Sequence, residues 1–338
     1  MLTVGSVATD LRLGIVILSL LLVLRPLLSE EKCHSDDKKA LLKIKKAFNN
    51  PYLLASWQPN IDCCTWYCVK CDDVTNRIIE IFISDGDLPG QIPDAIADLP
   101  YLKSISFHKV TKFSGPIPYS ITKVKYLDFL RISYANLTGT IPEFLGQLKN
   151  LTYLNLSYNN LTGPIPSSLG QIPKLGYIGL DQNKLTGTIP PSLVNLKGSE
   201  LYLILSHNQL SGEIPASFQD IDFGKIDLSR NKLQGDISML FGYKKTTYMM
   251  DFSRNMFEFN MSKLHVHQSL VYLDINHNRV FGSIPEVMTK LALQSFNVSY
   301  NRLCGKIPQG GRLQTRFDYS AYFHNRCLCG SPLDVACK

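Results

Sequence analysis

A chain of 338 residues has room for two ordinary domains, and 45% hydrophobic with 19% charged residues excludes a disordered polymer. The formal charge of +7 comes without a basic stripe interleaved with aromatics, which excludes a nucleic-acid binder. Such a charge suits plain solubility or a polyanionic surrounding matrix.

Arg12 precedes an apolar run, Leu13–Leu24, and Ser29 closes a small-residue cleavage region, so residues 1–29 read as a secretory signal peptide. The run falls short of the roughly 20 residues a spanning helix needs, and no later segment predicts a membrane span. A mature chain starting near Glu30 loses Arg12, Arg25 and Asp10 and carries about +6. Nine cysteines form two groups, Cys33, Cys63, Cys64, Cys68 and Cys71 near the start and Cys304, Cys327, Cys329 and Cys337 near the end. In a secreted chain this places disulfides at both ends. The odd count leaves one thiol over or paired between molecules. The Cys68-to-Cys71 spacing could suit zinc or redox chemistry, which the secretory context argues against. Counting does not give the pairing, since four cysteines allow three connectivities.

Residues 30–77 read as an N-terminal cap. Ser35–Asn50 predicts an amphipathic helix: Ser35, Asp36 and Asp37 supply an acidic start. Leu41, Leu42, Ile44, Ala47 and Phe48 share a broad apolar face, and Asn49-Asn50-Pro51 ends it. The cysteine-rich DCCTWYCVKC follows, with Trp57 and Trp66 as packing residues. A solenoid exposes apolar surface at its ends and needs such a cap.

The repeats occupy 78–308. Leu151, Leu154, Leu156, Asn159, Leu161, Gly163 and Ile165-Pro166 recur 24 residues on, at Leu175, Ile178, Leu180, Asn183, Leu185, Gly187 and Ile189-Pro190. This is the LxxLxLxxNxL leucine-rich repeat. Extending the frame from Ile78 gives about ten 24-residue repeats. The expected fold is an α/β solenoid, a right-handed leucine-rich repeat superhelix with a concave parallel β-sheet and disulfide-bonded caps. The Asn at 159, 183, 208, 231, 255, 278 and 301 predicts a buried hydrogen-bonded ladder. Gly86, Val110 and Ala135 replace it in the first three repeats, so the ladder should be missing there. Glycine permits a tight bend and the Ile-Pro proline fixes φ as the chain leaves a strand. The repeat from Thr247 has neither, and its outer face should be irregular. After Pro308 the repeats stop, and 309–338 form a C-terminal cap.

The second, fourth and sixth residues of each strand should point outward from the concave face. The second column holds Phe129, Tyr153, Tyr177, Tyr202, Lys225, Met249 and Tyr272; Tyr248 adjoins it. The fourth holds Arg131, Asn155, Gly179, Ile204, Asp227, Asp251 and Asp274. The sixth is mostly Ser or Asn, with Asp181 an exception, and the next residue adds Tyr158, His207, Arg230, Arg254 and His277. Aromatics on a rigid sheet suit a binding interface. The partner-binding candidates are Arg131, Tyr153, Tyr158, Tyr177, Asp181, Tyr202, Asp227, Tyr248, Asp251, Tyr272 and Asp274. Asp227, Asp251 and Asp274 lie in neighbouring strands about 4.8 Å apart, a spacing to be weighed for glycoside cleavage. An open sheet, however, should offer too little desolvation to split their pKa values. No GxSxG, P-loop, HExxH or EF-hand pattern occurs, and His265-x-His267 lacks further ligands, so neither enzyme, cofactor nor metal is expected. Of six Asn-x-Ser/Thr sequons, Asn136, Asn150, Asn160 and Asn260 are the glycosylation candidates; Asn155 and Asn297 fall on the display face.

The segments DDKKALLKIKKAF, DCCTWYCVKCD, LPYLKSISFHK, IDLSRNKLQGD, LDINHNRVFGSIP, SYNRLCGKIPQGG and YFHNRCLCGSPL resemble the plant polygalacturonase-inhibiting proteins, from about Cys33 to the end. The resemblance implies a secreted, monomeric defence protein of the cell wall and apoplast. Its partner would be a fungal endopolygalacturonase, bound by concave acidic residues, of which Asp181 and Asp227 match. Asn155 is an amide where some members carry an acid, which bears on target range. A second implied partner is pectin or polygalacturonate, bound by the basic row His207, Arg230, Arg254 and His277, which histidine protonation in an acidic wall would strengthen. The implied pairing is Cys33–Cys63, Cys64–Cys71, Cys304–Cys327 and Cys329–Cys337, with Cys68 free. The competing reading is a receptor-like ectodomain for a peptide or wall fragment.

Overall fold

A computed structural model describes residues 32–196 and 200–337; the signal peptide expected over 1–29 lies outside the described residues. Among these, ten parallel strands build one sheet: Ile78–Gly90, Ser104–Gly115, Phe129–Ser133, Tyr153–Asn155, Tyr177–Gly179, Leu201–Ile204, Phe223–Asp227, Met249–Asp251, Tyr272–Asp274 and Ser295–Asn297. Each pairs with the next in repeat register, so Tyr153 lies beside Tyr177, and Asp227 beside Asp251 beside Asp274. The inward apolar residues of the strands, mostly leucine and isoleucine with Met250 and Phe296 among them, join one continuous buried core. Fold and repeat count are as the period predicts.

The return path holds more structure than the sequence reading foresees. Pro93, Pro118, Pro142, Pro166, Pro190, Pro215 and Pro285 sit at φ between −55° and −80° and open five-residue 3-10 helices. Proline suits the site because its fixed φ and missing N–H cost nothing at a helix start. Short outer strands precede the helices, including Ser211–Glu213 with Lys232–Gly235 and Met256–Phe257. The repeat from Thr247 is therefore less irregular than expected. Its outer strand still pairs, with Phe257 buried at the usual Leu position, Phe259 at the usual Gly position and Met261 in place of the usual Ile.

The asparagine ladder is present. Asn183 is representative: its Nδ2 donates to Leu156 O (2.9 Å) and Leu180 O (3.1 Å), and its Oδ1 accepts from Leu161 N (3.0 Å). One side chain thus satisfies backbone groups of two successive turns. Where the ladder is absent, the first two strands run on instead, for 13 and 12 residues, and Gly86 pairs directly with Val110. Backbone bonds do there what the side chain does elsewhere. At the other end an unforeseen rung appears. Asn325 donates to Val298 O (3.0 Å) and Tyr322 O (2.8 Å) and accepts from Leu303 N (3.0 Å). The C-terminal cap therefore begins as one more turn of the lattice, with Cys327–Cys329 pairing beside Cys304–Lys306.

The N-terminal cap departs from the sequence reading in detail. Its helix spans Ser35–Ala47, and the N-cap is His34, whose Nδ1 accepts from Asp36 N (3.3 Å). The buried face is Ala40, Leu41, Ile44 and Phe48; Leu42 is half-buried and Ala47 exposed, so the stripe is narrower than drawn. Asp37 does not serve as solvated helix-start charge. It is 1% exposed, forks onto Arg77 Nε and Nη2 (2.9 and 2.6 Å) and accepts from Ile78 N (2.9 Å), tying the helix to the first repeat. Val69–Cys71 adds an antiparallel strand over the sheet edge. Trp57 and Trp66 stack at 5.7 Å. The disulfides are Cys33–Cys63, Cys64–Cys71, Cys304–Cys327 and Cys329–Cys337. Cys68 is the free thiol, and burial pushes it up to about 11, which keeps it protonated and unreactive. Among the described residues the one cluster of three potential metal ligands is Cys33, Cys64 and Cys71, all of them in disulfides.

Candidate functional site

The second-position residues form a stacked column on the concave face. Phe129 on Tyr153 and Tyr153 on Tyr177 have centroids 4.3 Å apart. Tyr177 to Tyr202 and Tyr202 to Tyr248 are looser, at 6.3 and 6.4 Å. Lys225 interrupts the column, and Tyr248 bridges the gap from the residue before Met249. The phenols are donors. Tyr202 Oη donates to Glu200 (2.8 Å), which with partial burial pushes its pKa up to about 12. Tyr272 Oη donates to Asp251 Oδ2 (3.3 Å), and burial, then the neighbouring carboxylates, raise it further.

The fourth and sixth positions are not the free display expected of them. Ser157, Ser206, Ser229, Ser253 and Ser299 are buried. At the fourth position Asn155, Asp227, Asp251, Asp274 and Asn297 each accept from the backbone N–H two residues on, at 2.9–3.0 Å. These are Asx turns that end the strands. One oxygen of each carboxylate is committed to the lattice, and the second is what remains for a partner. Asn155 itself is buried, and its Nδ2 donates to Tyr153 Oη (3.1 Å), which leaves no place for a sugar.

The expectation that an open sheet leaves the acids unperturbed is overturned. Burial, and next among the raising influences the charge of Asp227, pushes Asp181 up to about 6. Asp251 is raised by burial and then Asp227, and Asp274 reaches about 6 through burial and Asp251. The first cause is burial in the concavity, and for Asp251 and Asp274 the register adds a like charge from the adjacent strand.

The next residue in each repeat has a left-handed backbone. Asp85, Lys109, Tyr134, Tyr158, Gln182, His207, Arg230, Arg254, His277, Tyr300 and His324 all have φ between 51° and 55°. Each costs about 1–2 kcal/mol, held in place by the ladder asparagine that follows it in most turns. The left-handed twist throws these side chains onto one rim. Tyr134 stacks on Tyr158 at 3.9 Å, and His277 on Tyr300 at 4.0 Å. His207 is lowered by burial and then Arg230, and His277 by burial and then Arg254. Strengthening of the basic row by acid is thus opposed, first by burial of the two histidines and then by the neighbouring arginines.

One open hollow of about 500 Å³ gathers Tyr158, Asp181, His207, Asp227, Arg230, Asp251, Arg254 and Asp274 around Lys225. Arg131, Tyr153, Tyr177, Tyr202, Tyr248, Tyr272 and His277 do not line it. Arg131 is occupied, donating to Ser133 Oγ (3.0 Å) and His108 Nδ1 (2.8 Å). Lys225, Gln182 and Asn276 line the hollow and escaped the candidate set, though Lys225 stood in the outward column. His324 was missed because its turn lacks the leucines of the frame; its offset of 24 from Tyr300 was the available signal.

Residues 34–72 match the family profile described as leucine rich repeat N-terminal domain, and residues 125–185 one described as leucine rich repeat. A related protein, polygalacturonase inhibitor 2 of Arabidopsis thaliana, is 61% identical over 94% of this chain and 96% of its own length. The crystal structure of a plant ice-binding protein superposes with TM-score 0.87 at 48% identity, covering 90% of this chain and 99% of that one. The Arabidopsis receptor kinase HAESA, solved with the peptide hormone IDA and the co-receptor SERK1, matches with TM-score 0.65 at 29% identity, over 81% of this chain and 51% of that one.

Proposed function

The chain belongs to the polygalacturonase inhibitor family of leucine-rich repeat proteins, and from that premise we propose that it is a secreted plant defence protein whose concave face binds and blocks fungal endopolygalacturonases. The observation that carries the reading is the hollow itself. Four carboxylates and Tyr158 line it, framed by Lys225, Arg230 and Arg254, and the stacked tyrosine column lies on the same concave sheet outside it. Such a face attracts a basic surface, steers its approach and excludes partners of the wrong polarity. Tyrosines add apolar area and hydroxyl donors at low entropic cost. The inhibitor acts as a cover: it needs no bond-making group, only a fit over a substrate cleft. Among the described residues no helix is long and apolar enough to cross a membrane, which agrees with action in the cell wall and apoplast. The rim arginines Arg230 and Arg254, with His207 and His277, provide a second contact for polygalacturonate.

The deciding experiment is inhibition of a panel of purified fungal polygalacturonases, scored by release of reducing ends. Inhibition of at least one enzyme, lost in the Asp227→Lys variant, is the expected result. No inhibition of any enzyme would sink the reading. The receptor-like alternative has one observation behind it, the likeness to the peptide-bound HAESA ectodomain. Tight binding of a peptide or wall fragment, with no effect on any polygalacturonase, would establish it instead.

A further inference from the structure

Two successive repeats lack the Ile-Pro step, and their outer surface is left unfilled. Their 3-10 helices, Ser238–Leu240 and Met261–Lys263, have three residues against five in the flanking repeats. A recess of about 510 Å³ results, lined by Asp236, Tyr243, Glu258, Asn260, His265 and Phe281 among others. Tyr243 is 63% and Phe281 41% exposed. Tyr243 is nonetheless held: its hydroxyl lies 3.0 Å from His265 Nδ1 and the rings are 4.8 Å apart. Exposed aromatic rings and the carboxylates of Asp236 and Glu258 in one recess suit a pyranose, whose C–H face packs on aromatics while its hydroxyls donate to acids.

A sugar has an attachment point in the wall of this recess. Asn260-Met261-Ser262 is a sequon, and Asn260 is half-buried. Its Oδ1 accepts from Ser262 N (3.0 Å), and its Nδ2 makes no hydrogen bond to a described residue. Two other candidates differ in the amide, Asn150 Nδ2 donating to Lys125 O (2.9 Å) and Asn160 Nδ2 to Asn136 Oδ1 (3.4 Å), and Asn136 differs in being exposed and outside the recess. We propose that Asn260 carries an N-linked glycan whose first sugars lie in the recess against Tyr243 and Phe281, as a packed part of the fold. Attachment forms an Nδ2–C1 bond and breaks the C1–O bond of a lipid-pyrophosphate-linked sugar donor. The amide proton leaves with the pyrophosphate. The inference rests on the secretory route of the reading above.

Protein secreted by plant cells is treated, folded, with a peptide N-glycosidase that accepts plant glycans, and release is followed site by site by mass spectrometry. Asn260 should be occupied and released at least about tenfold more slowly than from the isolated 256–264 glycopeptide, through local protection. Tyr243→Ala combined with Phe281→Ala, both surface changes, should erase the difference while circular dichroism stays the same. Equal rates in the unaltered protein overturn the packing. A bare Asn260 beside an occupied Asn136 overturns the site but leaves secretion standing; bare sequons throughout overturn both.

Discussion

The raised carboxylates make binding depend on pH in a calculable way. Asp181 and Asp274 stand at about 6 in the free protein. A cation of a bound enzyme beside either group favours its ionised form and returns it toward the ordinary value, about 3.9. Between those values the complex holds fewer protons than its separated parts, so affinity falls as pH falls. For one site the ionised fraction drops from about nine-tenths at pH 7 to about one-tenth at pH 5, a weakening of about tenfold. Two such sites give about a hundredfold. The test uses Asp181→Asn, Asp274→Asn and the double variant, with Kd measured by calorimetry against one inhibited polygalacturonase from pH 7 to 5. Asparagine keeps the backbone acceptor at 274, as Asn297 does on the next strand, so the fold is retained. Each single variant should lose one factor of ten from the pH dependence, and the double variant both. The enzyme's own titration is common to all four measurements and cancels. Parallel curves for the original protein and the double variant would refute the assignment.

The same shift has a consequence for stability. A carboxyl raised on folding contributes stability fully below its unfolded pKa and loses it as pH rises through about 6, so Asp181→Asn should stabilise at pH 7 and do nothing below pH 4. The gain is about 1 kcal/mol once partial exposure is allowed for, read as a denaturant midpoint; a gain at pH 4 would contradict it. Asp37→Ala removes the partner of Arg77 and the acceptor for Ile78 N. It should cost about 3–5 kcal/mol, with the N-terminal cap cleaved first in limited proteolysis. Arg230→Ala with Arg254→Ala should weaken retention on immobilised polygalacturonate and flatten its salt dependence. Retention should rise on acidification as Asp181 and Asp274 lose charge through about 6 beside these arginines, whereas His207 and His277 are lowered, first by burial. An undiminished rise in the Asp181→Asn, Asp274→Asn double variant would show the histidines charging instead.

The period made the repeat count and sheet legible, because every inward leucine has one structural task and recurs where the task recurs. What the period hides is whatever replaces a repeated residue by a different means. The long first strands stand in for missing asparagines, and the final turn is built on Ala321, Tyr322 and Asn325 rather than leucines. Both follow from satisfying backbone groups, a constraint that leaves no single sequence mark. The binding columns were legible as alternation, yet the Asx turns were not, because an outward Asp and a capping Asp look the same in a string. The pKa shifts escaped for a related reason: they depend on curvature and on which acids face each other across strands.

Residues 182 and 183 separate the two demands on this surface. Gln182 sits at φ 55° on the rim of the hollow, and its side chain lines that hollow. Its backbone is held by its neighbour: Asn183 makes bonds to Leu156 O, Leu180 O and Leu161 N, while Gln182 N donates to Ser206 O (2.9 Å). The left-handed position therefore accepts many side chains at nearly equal cost, as the rim's mixture of Tyr, Gln, His, Arg and Lys shows. The ladder position accepts one. Gln182→Ala should then change affinity for a polygalacturonase while shifting stability by less than about 0.5 kcal/mol. Asn183→Ala should leave Leu161 N unpaired, strip one donor each from Leu156 O and Leu180 O, which keep Asn159 and Asn208, and cost about 2 kcal/mol. If Gln182→Ala destabilised the fold as much as Asn183→Ala, the rim would be part of the lattice, and target range would have to be set by the tyrosine column instead.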